Sequence, residues 1–126
     1  MTDTATDKRV LLIDDDESLR ELFVLAMAKR FNVAVAEDGV KGLDKVAAFR
    51  PHLIVLDLMM PFLDGFEVIH KLQALGFKDI PVIVITGYSD QANESIVSQE
   101  PNVVAFYHKP LKFDQLITKI DGLLAA

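Results

Sequence analysis

The chain has 126 residues, 51% of them apolar, with 13 Lys and Arg against 19 Asp and Glu, a net charge of −6, and no cysteine. That length holds one ordinary domain and no second, the composition is too apolar for a disordered tail, and the scattered basic residues argue against direct nucleic-acid binding, which needs clustered Lys and Arg. Disulfides and thiolate metal sites are excluded, no apolar run can cross a bilayer, and the opening residues 1–7 lack the apolar segment of a secretory signal, so the expected setting is cytoplasmic without membrane insertion.

Residues 1–8 read as a polar leader and 9–126 as the domain. Residues 10–13 are a short apolar run of the buried, parallel-sheet type, and Asp14, Asp15, Asp16 and Glu17 follow it directly. Ser18 with Glu21 makes a capping box, and Leu19, Leu22, Phe23 and Ala26 at helical spacing predict a first helix to about Arg30. Residues 33–36 are a second strand. After Asp38 and Gly39 a second helix carries Val40, Leu43, Val46 and Ala47 on one face and stops before Pro51. The third strand, 53–56, delivers Asp57. Pro61 breaks the chain, Asp64 caps a third helix with Glu67 closing the box, Val68, Ile69, Leu72 and Leu75 point inward, and Gly76 ends it.

Residues 82–85 form the fourth strand, and Thr86 and Gly87 end it with a hydroxyl beside a residue that has no side chain. Residues 89–99 are the weakest helix, with Ala92, Ile96 and Val97 as its only apolar residues, and weak anchoring predicts an element that moves. The fifth strand, 103–107, leads to Lys109 and Pro110. A last helix follows whose stripe of Phe113, Leu116, Ile117, Ile120, Leu123 and Leu124 packs firmly.

Strands alternating with amphipathic helices from end to end predict an α/β fold, a doubly wound parallel sheet. In such a sheet, groups just past the carboxyl ends of neighbouring strands meet in one crevice. Asp14, Asp15, Asp57 and Lys109 are such groups. Gathered carboxylates repel one another and keep their charge only beside a cation, and carboxylate oxygens suit a hard ion such as magnesium. This outlines a phosphoryl-transfer site.

The order of these pieces resembles the response-regulator receiver domain over nearly the whole chain. The resemblance rests on Leu12-Ile13-Asp14-Asp15-Asp16, Asp57-Leu58-Met59-Met60-Pro61 with Asp64-Gly65, Ile85-Thr86-Gly87 and His108-Lys109-Pro110, each in its proper strand-end context. It implies a flavodoxin-like sheet of five strands in the order 2-1-3-4-5 with five flanking helices. It implies phosphorylation of Asp57 by a sensor histidine kinase or histidine phosphotransfer protein. It further implies Mg2+ held by Asp15, Asp57 and the main-chain carbonyl of Met59, with Asp14 acting through a bound water. Lys109 would meet the transferred oxygens, Thr86 would donate its hydroxyl to one of them, and Phe106 would turn inward as the switch aromatic, in competition with plain core packing. A cis Lys109–Pro110 bond is implied too. The partners so implied are the kinase, facing the first helix, and a downstream protein, facing residues 89–124, with the domain a monomer or a phosphorylation-dependent dimer.

Departures from the family's usual wording limit the transfer. Phe106 stands where many relatives have Tyr, and Asn102 stands where Gly is common, a position that Asn can serve by tolerating the left-handed conformation. Met59 and Tyr88 lie two residues past Asp57 and Thr86, at positions that the resemblance implies flank the path of the hydrolytic water, and neither side chain aligns a water well, which predicts slow self-dephosphorylation. Asp16 and Glu17 read as a solvated helix entry, Tyr107 as the outward aromatic, and the Met59-Met60 pair as packing. His52, His70 and His108 lack metal-ligand spacing. A scaffold that never takes phosphate would be expected to lack a site residue, and none is missing. An aspartyl-phosphate hydrolase would want an acid at position 59, where Met stands. A flavin-binding relative would not carry four acids after its first strand. The expectation is a stand-alone signalling switch that catalyses only its own phosphorylation and slow dephosphorylation.

Overall fold

In a computed structural model the protein is described over residues 7–60, 63–87 and 91–125, with 91–93 as backbone alone. Most of the polar leader, the break at Pro61, Tyr88 and the start of the fourth helix at Ser89 lie outside these residues. The elements alternate as expected: β1 (Arg9–Ile13), α1 (Glu17–Met27), β2 (Asn32–Ala36), α2 (Gly39–Phe49), β3 (Leu53–Asp57), α3 (Gly65–Ala74), β4 (Val82–Thr86), α4 (Gln91–Ser98), β5 (Val103–His108) and α5 (Phe113–Leu124). The strands form one parallel sheet in the order β2-β1-β3-β4-β5. Among the described residues no helix is long and apolar enough to cross a membrane.

Successive strand residues point to opposite faces, so each apolar run feeds two cores at once. Leu11, Ile13, Ile54, Leu56 and Val84 pack with Val68, Ile69 and Leu72 of α3, Val46 of α2 and Val97 of α4. Val10, Leu12, Val55, Ile83 and Ile85 pack with Phe23 and Met27 of α1 and Leu116 and Ile120 of α5. Central strands covered on both faces need apolar residues at every position, which is why β3 and β4 are buried from end to end.

Several local readings are corrected. The cap of α1 is Asp16, whose side chain accepts from the Ser18 and Leu19 amides, and the Ser18–Glu21 box is not used. That helix ends at Met27, because Phe31 turns into the core and the Asn32 amide reaches the Lys8 carbonyl at 2.8 Å. On α2 the buried face is Gly39, Gly42 and Val46, with Val40 56% exposed and Ala47 also outside. A Cβ on Gly42 would lie 2.6 Å from Ile13 Cδ1, so the helix presses against the sheet where it has least side chain. The Asp64–Glu67 capping box of α3 forms as expected, and Gly76, at φ +90, follows its end. Leu75 is 60% exposed, past the last inward turn.

Asn102 does not adopt the left-handed conformation; among described non-glycine residues only Arg50 has positive φ. Asn102 is instead buried, and its Oδ1 accepts from Gln73 Nε2 at 3.0 Å. The same Gln73 nitrogen donates to Glu100 Oε1 at 3.0 Å, so the turn between α4 and β5 is tied to α3.

Candidate functional site

Three strand ends bring the expected residues together. Asp14 follows β1, and its amide continues the ladder by donating to the Ala36 carbonyl at 3.0 Å. Asp57 is the last residue of β3, and the next amide, of Leu58, donates to the Ile85 carbonyl at 2.9 Å. Lys109 follows β5, its amide donates to the Thr86 carbonyl at 2.8 Å, and its bond to Pro110 is cis. Each side chain therefore starts from backbone held by sheet hydrogen bonds, and only the side chain itself has freedom. Gly65 seats α3 against the same corner: a Cβ there would lie 2.7 Å from Leu58 Cα and 2.9 Å from the Asp57 carbonyl.

Asp14 and Asp57 are buried to 0% and 1% exposure, while Asp15 is exposed at the mouth. Lys109 Nζ lies 3.0 Å from Asp14 Oδ2 and 3.5 Å from Asp57 Oδ2. The remaining oxygens lean on backbone: Asp14 Oδ1 accepts from the Asp16 amide at 2.8 Å and Asp57 Oδ1 from the Met59 amide at 3.2 Å. One ammonium thus serves two buried carboxylates. Burial pushes the Asp57 carboxyl up to about 7, the charge of Asp14 adds to the rise, and Lys109 and the Met59 amide oppose it. Asp14 is raised as well, first by burial, against the pull of the Asp16 amide and Lys109. Burial works against the charge of Lys109, yet the close Asp14 and Asp57 carboxylates outweigh it and hold the ammonium above its ordinary value.

A carboxylate oxygen each from Asp14, Asp15 and Asp57 lie within 4.8 Å of one another. Asp14 Oδ2, although close to Lys109 as an ion pair, is buried without a well-directed hydrogen bond. Unsatisfied buried anion and a compact oxygen set fit a hard divalent cation such as magnesium, which would offset both the burial and the mutual repulsion that raise the two carboxyls.

Thr86 is buried at the end of β4, next to Gly87, where a Cβ would meet nothing within 4 Å among the described residues. Phe106 is half-buried against the α3–α4 side of the core, its ring edge-on to His108 with centroids 5.4 Å apart. Tyr107 points to the opposite face and packs among the α1 and α5 residues instead of standing free. Met59 is 44% exposed at the mouth, and Met60 packs into the core. The histidines are dispersed: His52 Nδ1 accepts from the Arg9 amide, His70 sits by Glu100 and His108 by Glu94. One residue near the site was not singled out in the sequence. Arg20, one turn into α1, donates from Nη1 to the Asp14 carbonyl at 2.8 Å. Its position six residues past a strand-end acid was the available signal.

The family model of the response regulator receiver domain matches residues 10–121. Response regulator MprA of Mycobacterium avium is 35% identical over 117 residues, which are 92% of this chain and 50% of that protein, and MprA of Mycobacterium tuberculosis matches to the same extent. The chain spans about half the length of the curated relatives it matches. Among solved structures, the CheY-like response regulator receiver domain protein of Methanospirillum hungatei superposes with a TM-score of 0.84 at 27% identity, covering 93% of both chains. The receiver domain of Francisella response regulator 1452 does so with a TM-score of 0.83 at 26% identity, covering 93% of this chain and 96% of that one.

Proposed function

Because the chain belongs to the response-regulator receiver family, whose members are signalling switches, we propose that Asp57 accepts a phosphoryl group from a histidine kinase or a histidine phosphotransfer protein and so changes how the domain binds a downstream protein. The observation that carries this reading is a buried carboxylate at the end of β3 with Lys109 Nζ 3.5 Å from its Oδ2 and Asp14 and Asp15 at ligand spacing. An oxygen of Asp57 attacks the phosphorus in line, the bond from phosphorus to the donor imidazole nitrogen breaks, and the electron pair leaves with the imidazole. Asp14, Asp15, Asp57 and the main-chain carbonyl of Met59 would hold magnesium, which when bound would supply charge neutralisation for the incoming phosphoryl oxygens. Lys109 shifts from the carboxylates it now pairs to the transferred oxygens, which carry more charge.

Thr86 then gives its hydroxyl to one of those oxygens, the loop after β4 follows, and Phe106 turns into the space released. The half-buried setting of Phe106, and Val97 as the one core anchor among the described side chains of α4, support this route. Met59 offers no polar group to align a hydrolytic water, so the acyl phosphate is long-lived. The kinase faces α1 and its adjoining loops, and the downstream partner faces α4, β5 and α5, with the domain monomeric or dimerising once phosphorylated. The matched relatives run to about twice this length, so the absence of nucleic-acid contact inferred from charge concerns these 126 residues alone.

Intact mass after incubation with magnesium and a small acyl phosphate, repeated with a purified histidine phosphotransfer protein, tests the assignment. One phosphoryl group gained by wild type and not by Asp57→Asn supports it. Equal gain in the variant puts the acceptor elsewhere, and no gain from either donor by the folded protein overturns the reading.

A further inference from the structure

We propose that Arg20 is a positioning residue for the cation site, fixing the peptide that joins Asp14 to Asp15 and thereby aiming the Asp15 carboxylate. The proposal rests on the reading of Asp14, Asp15 and Asp57 as the magnesium ligands. Besides its ion pair with Lys109, Asp14 is held by three hydrogen bonds: its amide to the Ala36 carbonyl at 3.0 Å, its Oδ1 from the Asp16 amide at 2.8 Å, and its carbonyl from Arg20 Nη1 at 2.8 Å. Of these, only the Arg20 bond falls on the peptide leading to Asp15. A peptide is a rigid plane, so holding its oxygen sets the direction in which the next residue departs.

Asp15 needs such a constraint more than its neighbours do. Asp57 lies within the sheet and Asp14 at its last ladder bond, whereas Asp15 is exposed beyond it. Arg20 itself stands on fixed ground. Asp16 caps α1 through the Ser18 and Leu19 amides, and the Arg20 amide donates to the Asp16 carbonyl at 3.0 Å. The helix start, the guanidinium and the Asp14 carbonyl thus close a ring around residues 14–20. A planar guanidinium with its donors in a rigid fork loses less freedom in closing that ring than a more flexible cation would.

The charge of Arg20 acts in the opposite direction. A cation on the Asp14 carbonyl repels a divalent ion approaching the neighbouring carboxylates, so as a charge alone Arg20 weakens binding and its removal tightens it. As a positioning group its removal loosens the ligand set and weakens binding. The sign separates the two roles.

Calorimetric titration of Mg2+ into the full chain tests this with wild type, Arg20→Ala and Arg20→Lys, and with Arg20→Met should the alanine variant fail to fold. Expected is a loss of about tenfold in affinity for Arg20→Ala or Arg20→Met, typical of a group that orients a metal ligand, with much of it restored in Arg20→Lys. Affinity equal to or tighter than wild type in the folded alanine or methionine variant overturns the proposal. No binding by wild type, with Asp57→Asn behaving identically, overturns the underlying reading of the three acids and the proposal with it.

Discussion

Neutralising Asp57 should stabilise the metal-free protein, by an amount that depends on pH. A carboxyl that titrates near 3.8 when unfolded and at about 7 in the fold opposes folding once ionised, at about 1.36 kcal/mol per tenfold change in proton affinity, or roughly 4 kcal/mol in all. Because the folded value is raised, stability is greatest below the unfolded value and is lost as pH climbs from 3.8 through about 7. Asp57→Asn removes that loss, and its oxygen can still accept from the Met59 amide, which Asp57 Oδ1 does now at 3.2 Å. Lys109 keeps its closer partner, Asp14 Oδ2 at 3.0 Å. Since Asp14 and Asp57 share one ammonium and relax together, the expected gain is about 2–4 kcal/mol near pH 8, closing towards zero near pH 4. Urea unfolding followed by far-UV circular dichroism, with chelator at both pH values, measures it. Saturating magnesium should narrow the gap from the other side, adding about 2.7 kcal/mol to wild type at a hundredfold excess over its dissociation constant. A variant no more stable than wild type near pH 8, or a gap unchanged near pH 4, would refute the electrostatic account.

Two further outcomes follow from single positions. Gly42→Ala places a Cβ 2.6 Å from Ile13 Cδ1 and 2.9 Å from Cγ1, so it should lower stability by about 1–3 kcal/mol in the same urea assay despite the better helix propensity of alanine. Met59→Asn puts a water-aligning amide at the exposed mouth of the site and should shorten the lifetime of the phosphorylated protein, followed by intact mass, at least severalfold; an unchanged lifetime would assign the slow step elsewhere.

How much could be read beforehand depended on what each residue's neighbours leave to chance. Strands β1, β3 and β4 announced themselves because burial on both faces demands unbroken apolar runs, and the same runs located Asp14, Asp57 and Thr86 at their ends. The Asp64–Glu67 box was legible because a single acceptor and a single closing acid compete for that helix start. At α1 several oxygens compete: Asp16 reaches both the Ser18 and Leu19 amides, and sequence spacing does not reveal that it wins. The face of α2 was misread for a different reason. Its contact with the sheet is selected by closeness at Gly42, where apolar character carries no signal. Asn102 illustrates a third kind of miss: backbone tolerance suggested a left-handed turn, whereas the residue is held by its side-chain oxygen, which accepts from Gln73 Nε2 at 3.0 Å. Lys109 and Asp15 were placed by their positions just past strand ends together with the family resemblance, while Arg20 depended on a side chain's reach to a carbonyl.

The tie from Gln73 to Glu100 and Asn102 turns α4 into a lever with a defined fulcrum. An eight-residue helix is about 12 Å long. Clamped just past its C-terminal end, and with Val97 the one core anchor among its described side chains, it would respond to the proposed push from the β4 end by tilting about the clamp, not by sliding along its axis. A tilt of about ten degrees carries the end near Thr86 through roughly 2 Å while Glu100 scarcely moves. On the proposed switch, displacement along α4 would therefore be graded, largest at the end beside the acceptor site and vanishing at the clasp, so a partner gripping the N-terminal half of the helix would read the full stroke and one gripping its C-terminal half almost none.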